Sequence, residues 1–600
     1  MPSSNRTENE IQLRILATSD LHATLRGFDY CSEMPLPGLG LDGAAALIGQ
    51  LRRQVRNSLL VDNGDFLQGN PLADLFAEPV RDRLHPVVAA MNKLGYDAAA
   101  LGNHEFNYGL PALRHAIAGA RFPILCANIA MLGGELPVAS THILLERNML
   151  FPSGRQQPLR IGLFGLIPPQ VKIWDRRNLE GRIEVTDMVD AARVTIAALR
   201  AEGADLVIAL CHSGIGSTNA PTGSENMAGQ VAALDGLDAI VAGHSHDVFP
   251  ATPSLSEGTV PMVLPGCFAS HVGLIDLRLR QNDDGRWLSR GCAAALRVAD
   301  HVGPRNLRLS PEAQAVRKAS AAAHRATRLK VRRPVGRTDV PLTSHLAALP
   351  GNAALAIIAE SQAAHVAAAL RGTPFERLPL LSAAAPFKFG GRGGAAHYTN
   401  VAPGPLAIRN VADLYIHPNR IAAVVVTGTE LKAWLEKSAE FFLRVVPGQA
   451  NQPLLNPDIH ASDFDVIHGV DYQIDLSASC GKRVVGLSFG EDRVEPAKRY
   501  VVATNSYRAE GGGDFPGAQP ANIVLEDRIM VQDVLREHIE HVGTIRGPRH
   551  YPFAFRTLPG TSVLLETAKA VRAELPCRTD LALEDLGEGG EGLVRLRLRL

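Results

Sequence analysis

Five times between residues 11 and 246, a short apolar run breaks off into polar side chains that can bind a metal ion. Ile11–Ser19 leads into Asp20-Leu-His22, and Ser58–Val61 into Asp62-Asn-Gly-Asp65. Asp97–Leu101 leads into Gly102-Asn-His-Glu105, Leu206–Cys211 into His212, and Ala239–Ala242 into Gly243-His-Ser-His246. Short apolar runs closed by turn residues predict buried strands. Between them, Gly43–Arg56 and Asp187–Glu202 carry Ala, Leu and Arg at helical spacing. Strand–helix alternation predicts βαβ units with mostly parallel pairing. In such sheets ligands collect beyond the carboxyl ends of the strands. All five polar clusters stand at carboxyl ends, so one α/β fold can gather them at one site.

The texture changes after residue 310. Ser310–Lys330 is Ala-rich, opens with the helix start signal Ser310-Pro-Glu312, and carries Arg317, Lys318, Arg325, Arg328 and Lys330. It is expected to be a solvated connecting helix. Pro334-Val-Gly336 marks a boundary. The segmentation is therefore a domain over 1–309, a connecting helix and linker over 310–335, and a second domain over 336–600. Within the latter, Asn352–Leu370 is apolar but interrupted by Glu360, Ser361, Gln362 and His365, which predicts an amphipathic helix. Leu593–Leu600 alternates apolar and basic residues, as a half-exposed antiparallel strand does. It is expected to close the second domain.

Charge and cysteine content narrow the class. Lys plus Arg and Asp plus Glu both number 61, so the chain lacks the positive excess that binding a nucleic-acid polymer draws on. No run approaches the roughly 18 apolar residues of a membrane helix. The seven cysteines are scattered without a CxxC pair, which fits neither a disulfide framework nor a thiolate zinc site. The first ten residues lack the apolar core of an export signal. The expectation is a cytoplasmic monomer with no membrane partner.

The clusters supply oxygen and nitrogen donors without sulfur: Asp, His and Asn. One ion rarely takes more than about six ligands, so this inventory suggests two ions, of the Mn, Zn, Fe or Co kind. Asp20-x-His22 and His244-x-His246 each put alternate residues on one side of an extended segment. Two ions about 4 Å apart clamp a phosphoryl group and activate a water for in-line attack.

In this order, Asp-x-His, Gly-Asp, Gly-Asn-His-Glu, His and Gly-His-x-His resemble the calcineurin-like metallophosphoesterases. Leu60–Gly69, Gly102–Gly109, Phe28-Asp-Tyr30, Asp413-Leu-Tyr415, Pro418-Asn419, Phe464-Asp-Val466, Gly469–Tyr472 and Ala503–Arg508 resemble, more closely, the 2′,3′-cyclic-nucleotide 2′-phosphodiesterase/3′-nucleotidases. The likeness extends over about residues 11–560. It implies a four-layer metallophosphoesterase domain, two packed sheets flanked by helices, followed by a C-terminal α/β nucleotide-binding domain. It implies two divalent ions (Mn, Zn, Co or Mg), with Asp20, His22 and His246 on the first, Asn103, His212 and His244 on the second, and Asp65 bridging. His104 would face the phosphate. Many 5′-nucleotidases carry Asp three residues after this His; here Asn107 stands there, able to accept a hydrogen bond but bringing no charge.

The resemblance also implies that a nucleotide's base stacks between two rings of the second domain. Tyr415 and Tyr507 are the candidates, with His417 as alternative to the first, and Arg392, Asn505 and Arg508 as polar contacts. Stacking contributes about 1–3 kcal/mol per base and tolerates all four bases. The implied activity opens 2′,3′-cyclic nucleotides to 3′-nucleotides and hydrolyses these to nucleoside and phosphate. Rival readings are a 5′-nucleotidase or nucleotide-sugar hydrolase, a sulfur-oxidation hydrolase of the same superfamily, and a non-catalytic nucleotide-binding protein. Relatives of this kind are often periplasmic, which stands as the alternative location.

Overall fold

The computed structural model describes residues 10–77, 84–133, 138–256, 260–282, 285–299, 310–391, 394–395, 397–548, 550–590 and 592–600. The chain divides into two compact units, Met1–Leu329 and Lys330–Leu600. Among the described residues no helix is long and apolar enough to cross a membrane.

In the first unit the main strands are β1 (Glu10–Thr18), β2 (Asn57–Asp62), β3 (Ala98–Ala100), β4 (Ile124–Leu125), β5 (His142–Leu150), β6 (Gln156–Leu166), β7 (Leu206–Cys211), β8 (Ala239–Ala242), β9 (Met262–Pro265), β10 (His271–Gln281) and β11 (Trp287–Val298). They form two sheets. One runs from the edge strand Ser254–Ser256 through β11, β10, β1, β2 and β3 to β4; the other runs from Val248–Phe249 through β9, β8, β7 and β6 to β5. Strands β1 to β4 pair in parallel, as do β6, β7, β8 and β9. β10 and β11 add an antiparallel flank to the first sheet. The five strands expected from the sequence are β1, β2, β3, β7 and β8, three in one sheet and two in the other.

The alternation along β1 explains the core. Ile11, Leu13, Ile15 and Ala17 face a shared apolar layer with Leu59, Val61, Ile161, Leu163, Ile208, Leu210 and Val241, contributed by both sheets. The opposite face of β6, β7 and β8 buries Phe164, Val207, Ala209 and Ile240 under the helix Met188–Ala201, through Met188, Ala192, Ile196 and Leu199. Two faces per strand need two partners, so layers stack on both sides.

The helix Pro311–Val331 is no solvated connector, the role its composition suggested. Ala313, Val316, Ser320 and Thr327 are buried. Arg26 donates to Ser320 Oγ (3.0 Å), Arg317 pairs with Asp42 (2.8 Å), and Tyr30 OH lies 2.9 Å from His324 Nδ1. Two of its five basic residues are occupied on this face, since Arg328 also lies over the Phe28 ring.

The second unit centres on a five-stranded sheet in the order Val466–His468, Leu380–Ala384, Arg499–Asn505, Arg420–Thr427, Ile523–Met530. The helix Ala353–Ala369 packs on it. Its first two turns, Ala354 to Ala359, are buried on every side, so it is a core helix at that end and not an amphipathic one. Leu593–Arg599 runs antiparallel between Ser562–Ala568 and Leu583–Glu588. Val594, Leu596 and Leu598 point inward, while Arg595 and Arg597 pair with Glu566 (2.7 Å) and Glu584 (2.8 Å).

Candidate dimetal centre and nucleoside face

Beyond their last ladder bonds, the tips of β1 and β2 stay joined. Asp20 N–H donates to Gly64 O (2.9 Å), His22 N–H to Asp65 O (2.8 Å) and Ala23 N–H to Phe66 O (3.1 Å). These tips bend sharply. Asp20, His22, Asp65, His244 and His246 all hold left-handed backbone, with φ between 45° and 69°. Each such residue costs about 1–3 kcal/mol, and this kind of strain collects at functional sites. Glycine at 102 allows the β3 tip to come close: a Cβ there would stand 2.2 Å from Asp65 Oδ1.

Glu105 locks the arrangement. Its buried carboxylate accepts from four backbone N–H groups: Phe66 (2.8 Å) and Leu67 (3.0 Å) on one oxygen, Asp65 (2.8 Å) and Gly102 (2.7 Å) on the other. Burial, then the nearby Asp65, push its carboxyl up to about 7.

The seven ligand candidates converge. Donor atoms of Asp20, His22 and His246 lie within 4.8 Å of one another, and so do those of Asp65, His212 and His244. Asn103 Oδ1 stands 2.9 Å from His244 Nδ1, beside the second group. Asp65 Oδ2 is 3.0 Å from His212 Nε2, and Asp20 Oδ1 is 3.9 Å from that same nitrogen. The two groups therefore lie side by side.

Outer partners set the rings. His22 Nδ1 donates to Gln68 O (2.7 Å) and His212 Nδ1 to Asn63 O (2.7 Å), which leaves each Nε2 facing the centre. His22 Nε2 and His246 Nε2 point at each other across 3.0 Å, and buried His212 Nε2 faces Asp65 Oδ2 at 3.0 Å. Such inward lone pairs suit a cation. His244 Nε2 bonds Glu225 (2.7 Å), and its ring stacks on Trp174 with centroids 5.5 Å apart.

The charge balance agrees. Burial, with His246 and His104 nearby, pushes His22 down to about 3, so its ring is neutral. His212 is penalised by burial too, yet Asp65 and Asp20 push it up to about 10. Asp65, also against burial, is held well below the ordinary carboxylate range by His212 and His104. Buried carboxylates that draw positive charge this strongly, among imidazoles offering lone pairs, fit divalent ions. The donor set is oxygen and nitrogen only, as Mn, Zn, Co or Mg accept.

His104 belongs to neither group. Its side chain is 28% exposed, against 0% for His212, and its Nε2 lies 4.0 Å from Asp65 Oδ2. Its Nδ1 meets Asn107 Oδ1 at 2.7 Å, and Asn107 Nδ2 donates to Asp175 Oδ2 at 2.9 Å.

In the second unit the candidate substrate residues differ in exposure. Tyr415 is 1% exposed. It follows the helix Ile408–Leu414 and turns into the core, its hydroxyl accepting from Asn419 Nδ2 (3.3 Å), so neither face of the ring is open to a base. Half-buried Phe387 lies edge-on to it (4.9 Å) and edge-on to half-buried His417 (5.0 Å), the alternative named above. Tyr507 is half-buried, with its ring against Gly512, where a Cβ would stand 2.4 Å from the ring. Arg508 is also buried: it pairs with Asp465 (2.9 Å) and donates to Gly512 O and Ser462 O, which makes it a structural clamp. Asn505 caps the short helix Ser506–Ala509 by accepting from Arg508 N–H (3.0 Å). Arg392 lies outside the described residues.

Sequence reading left Glu105, Asn63, Gln68, Glu225, Trp174 and Asp175 without roles. Glu105 stood inside a quoted motif and could have been found. Trp174 and Asp175 sit in Val171–Leu179, two short helices with no motif at all.

Comparison with known proteins follows the same division. Residues 13–248 match the family model "Calcineurin-like phosphoesterase", and residues 351–519 match "5′-nucleotidase, C-terminal domain". The chain is 38% identical to the 2′,3′-cyclic-nucleotide 2′-phosphodiesterase/3′-nucleotidase of Salmonella typhimurium, over 86% of this chain and 84% of that protein. It is 35% identical to the protein of the same name from Haemophilus influenzae, over 93% and 89%. It is 36% identical to the trifunctional nucleotide phosphoesterase protein YfkN of Bacillus subtilis over 93% of its own length, but spans only 40% of that longer protein. Among solved structures, a 5′-nucleotidase precursor from Thermus thermophilus shares the fold, with a TM-score of 0.62 at 20% identity, over 91% of this chain and all of that one.

Proposed function

Because the chain belongs to the 2′,3′-cyclic-nucleotide 2′-phosphodiesterase/3′-nucleotidase family, we propose that it is a dimetal phosphohydrolase acting on those two substrates in turn. In the first reaction water adds to the cyclic phosphorus and the bond to the 2′-oxygen breaks, leaving a 3′-nucleotide. In the second, water adds again and the bond to the 3′-oxygen breaks, giving nucleoside and phosphate. Asp20, His22 and His246 would hold one ion, Asn103, His212 and His244 the other, with Asp65 between them. Bound there, two divalent ions supply positive charge for the phosphoryl oxygens and lower the pKa of the attacking water.

The chain's own residues do the rest. His104, at the exposed side of the cluster, offers Nε2 to the phosphate or its leaving oxygen. Glu105 fixes the loop that carries Asp65. Tyr507 and His417 are the rings assigned to the nucleoside, in place of buried Tyr415. Half-buried rings give a base a flat face without demanding one pattern of donors and acceptors.

The single observation that supports this reading is the pair of donor groups, each within 4.8 Å, lying side by side. Steady-state kinetics on 2′,3′-cyclic AMP, 3′-AMP and 5′-AMP with defined Mn or Zn tests it. The first two should be turned over and 5′-AMP should be poor. Preference for 5′-AMP would make the chain a 5′-nucleotidase on the same scaffold. Metal analysis of the same sample should give two ions per chain.

A further inference from the structure

We infer that Asp175, acting through Asn107, sets which ring nitrogen His104 turns toward the reacting phosphate. The inference rests on the reading that His104 faces that phosphate, and it concerns a positioning residue that touches no substrate.

Three side chains form a line. His104 Nδ1 lies 2.7 Å from Asn107 Oδ1, and Asn107 Nδ2 donates to Asp175 Oδ2 at 2.9 Å. Asp175 is 8% exposed, and its other oxygen accepts from Asn178 Nδ2 (3.3 Å). Asn178 Nδ2 also reaches Phe106 O (3.1 Å) and Asn107 O (3.2 Å), tying the line to the turn that carries His104.

The logic is one of donors and acceptors. An amide side chain has nearly the same shape either way round, so its orientation is set by its hydrogen bonds. Alone, Asn107 could present its NH2 to His104 and require an unprotonated Nδ1. Burial pushes the Asp175 carboxyl up to about 7, with His104 and the hydrogen bonds from Asn107 and Asn178 pulling the other way; above that pH both its oxygens are acceptors, as the two N–H donors they receive require. That acceptor forces the NH2 of Asn107 toward itself and the carbonyl toward His104. A carbonyl only accepts, so one proton stays on His104 Nδ1 and Nε2 is the nitrogen that faces the centre, free to take up a proton and hand it to the leaving oxygen.

The test is a double-mutant cycle on the full-length, metal-loaded chain. Asp175→Leu removes both acceptors and Asp175→Asn keeps one; each is made alone and together with His104→Ala. Partners of this outer kind typically cost 10–100-fold when removed. Asp175→Leu should lower kcat on 2′,3′-cyclic AMP by about that factor, and Asp175→Asn by less, with two ions per chain retained. In the His104→Ala background the same substitutions should change kcat by under about two-fold. The same loss in both backgrounds, or no loss in either, overturns the inference. A readout independent of turnover is the 15N imidazole spectrum of the metal-free chain. It should place the His104 proton on Nδ1; finding it on Nε2 overturns the inference even if a variant fails to fold. Failure of the nucleotide reading looks different: the wild type would ignore cyclic AMP yet cleave bis(p-nitrophenyl) phosphate, and the cycle would be run on that diester.

Discussion

A histidine with a buried ring nitrogen that meets no partner is a pH sensor for folding, and His85 in one unit and His468 in the other are such rings, away from the metal donors. Burial, then His115, pushes His85 down to about 4; burial, then His550, does the same to His468. The unfolded chain binds a proton near pH 6.5 while the folded chain refuses it until about 4. Stability is therefore intact above pH 6.5 and is lost as pH falls through that window, by up to about 3 kcal/mol for each ring. Calorimetry at pH 7 and pH 5, with chelator present throughout, should show a smaller drop for His85→Gln than for the wild type; equal drops would refute it. Legibility at this scale was uneven. The donor residues that converge could be read because they stand where apolar runs stop. Tyr415 could not: an aromatic beside a turn looks the same on the page whether its ring faces solvent or fills the core.

The loop after β2 is held by one side chain more than by its own turns. Glu105 receives four N–H donors, two on each oxygen. Glu105→Gln replaces one oxygen with an NH2 group, leaving two buried donors facing a third. At about 1–3 kcal/mol per unmet buried group, the variant should unfold about 3 kcal/mol more easily in urea and bind metal more weakly. Unchanged midpoint and metal content would show that the loop stands without it. The strands themselves were legible: Leu206–Cys211 and Ala239–Ala242 end where their apolar runs end. The pair of short helices over Val171–Leu179 was not. Their importance comes from Trp174 and Asp175 reaching His244 and Asn107, contacts made across long stretches of sequence.

At the level of the molecule, the phosphate chemistry lies in one unit and the rings assigned to the nucleoside lie in the other. Kinetic effects should divide the same way. Tyr507→Ala should raise KM for 2′,3′-cyclic AMP about ten-fold, since a lost stacking face is worth about 1–3 kcal/mol, while bis(p-nitrophenyl) phosphate, which carries no nucleoside, keeps its kcat/KM. Equal losses on both substrates would remove Tyr507 from base recognition. The units divide between Leu329 and Lys330, inside the stretch whose composition read as a connecting helix and linker. That β1, β2 and β3 fall in one sheet and β7 and β8 in the other could not be anticipated, because alternation reports which segments are strands and not which neighbours they choose.

The donors stand on strand tips, and this separates what the protein must keep from what it can exchange. Stretches such as 214–224 span the gaps between tips without supplying a donor or a strand. They are natural grafting points, where a tag, a longer turn or a relative's segment could be spliced in while the reacting centre stays put. Residues 171–179 are the exception: a splice there would unseat Trp174 and Asp175, and the enzyme would keep its metal donors but lose the braces on two of its histidines.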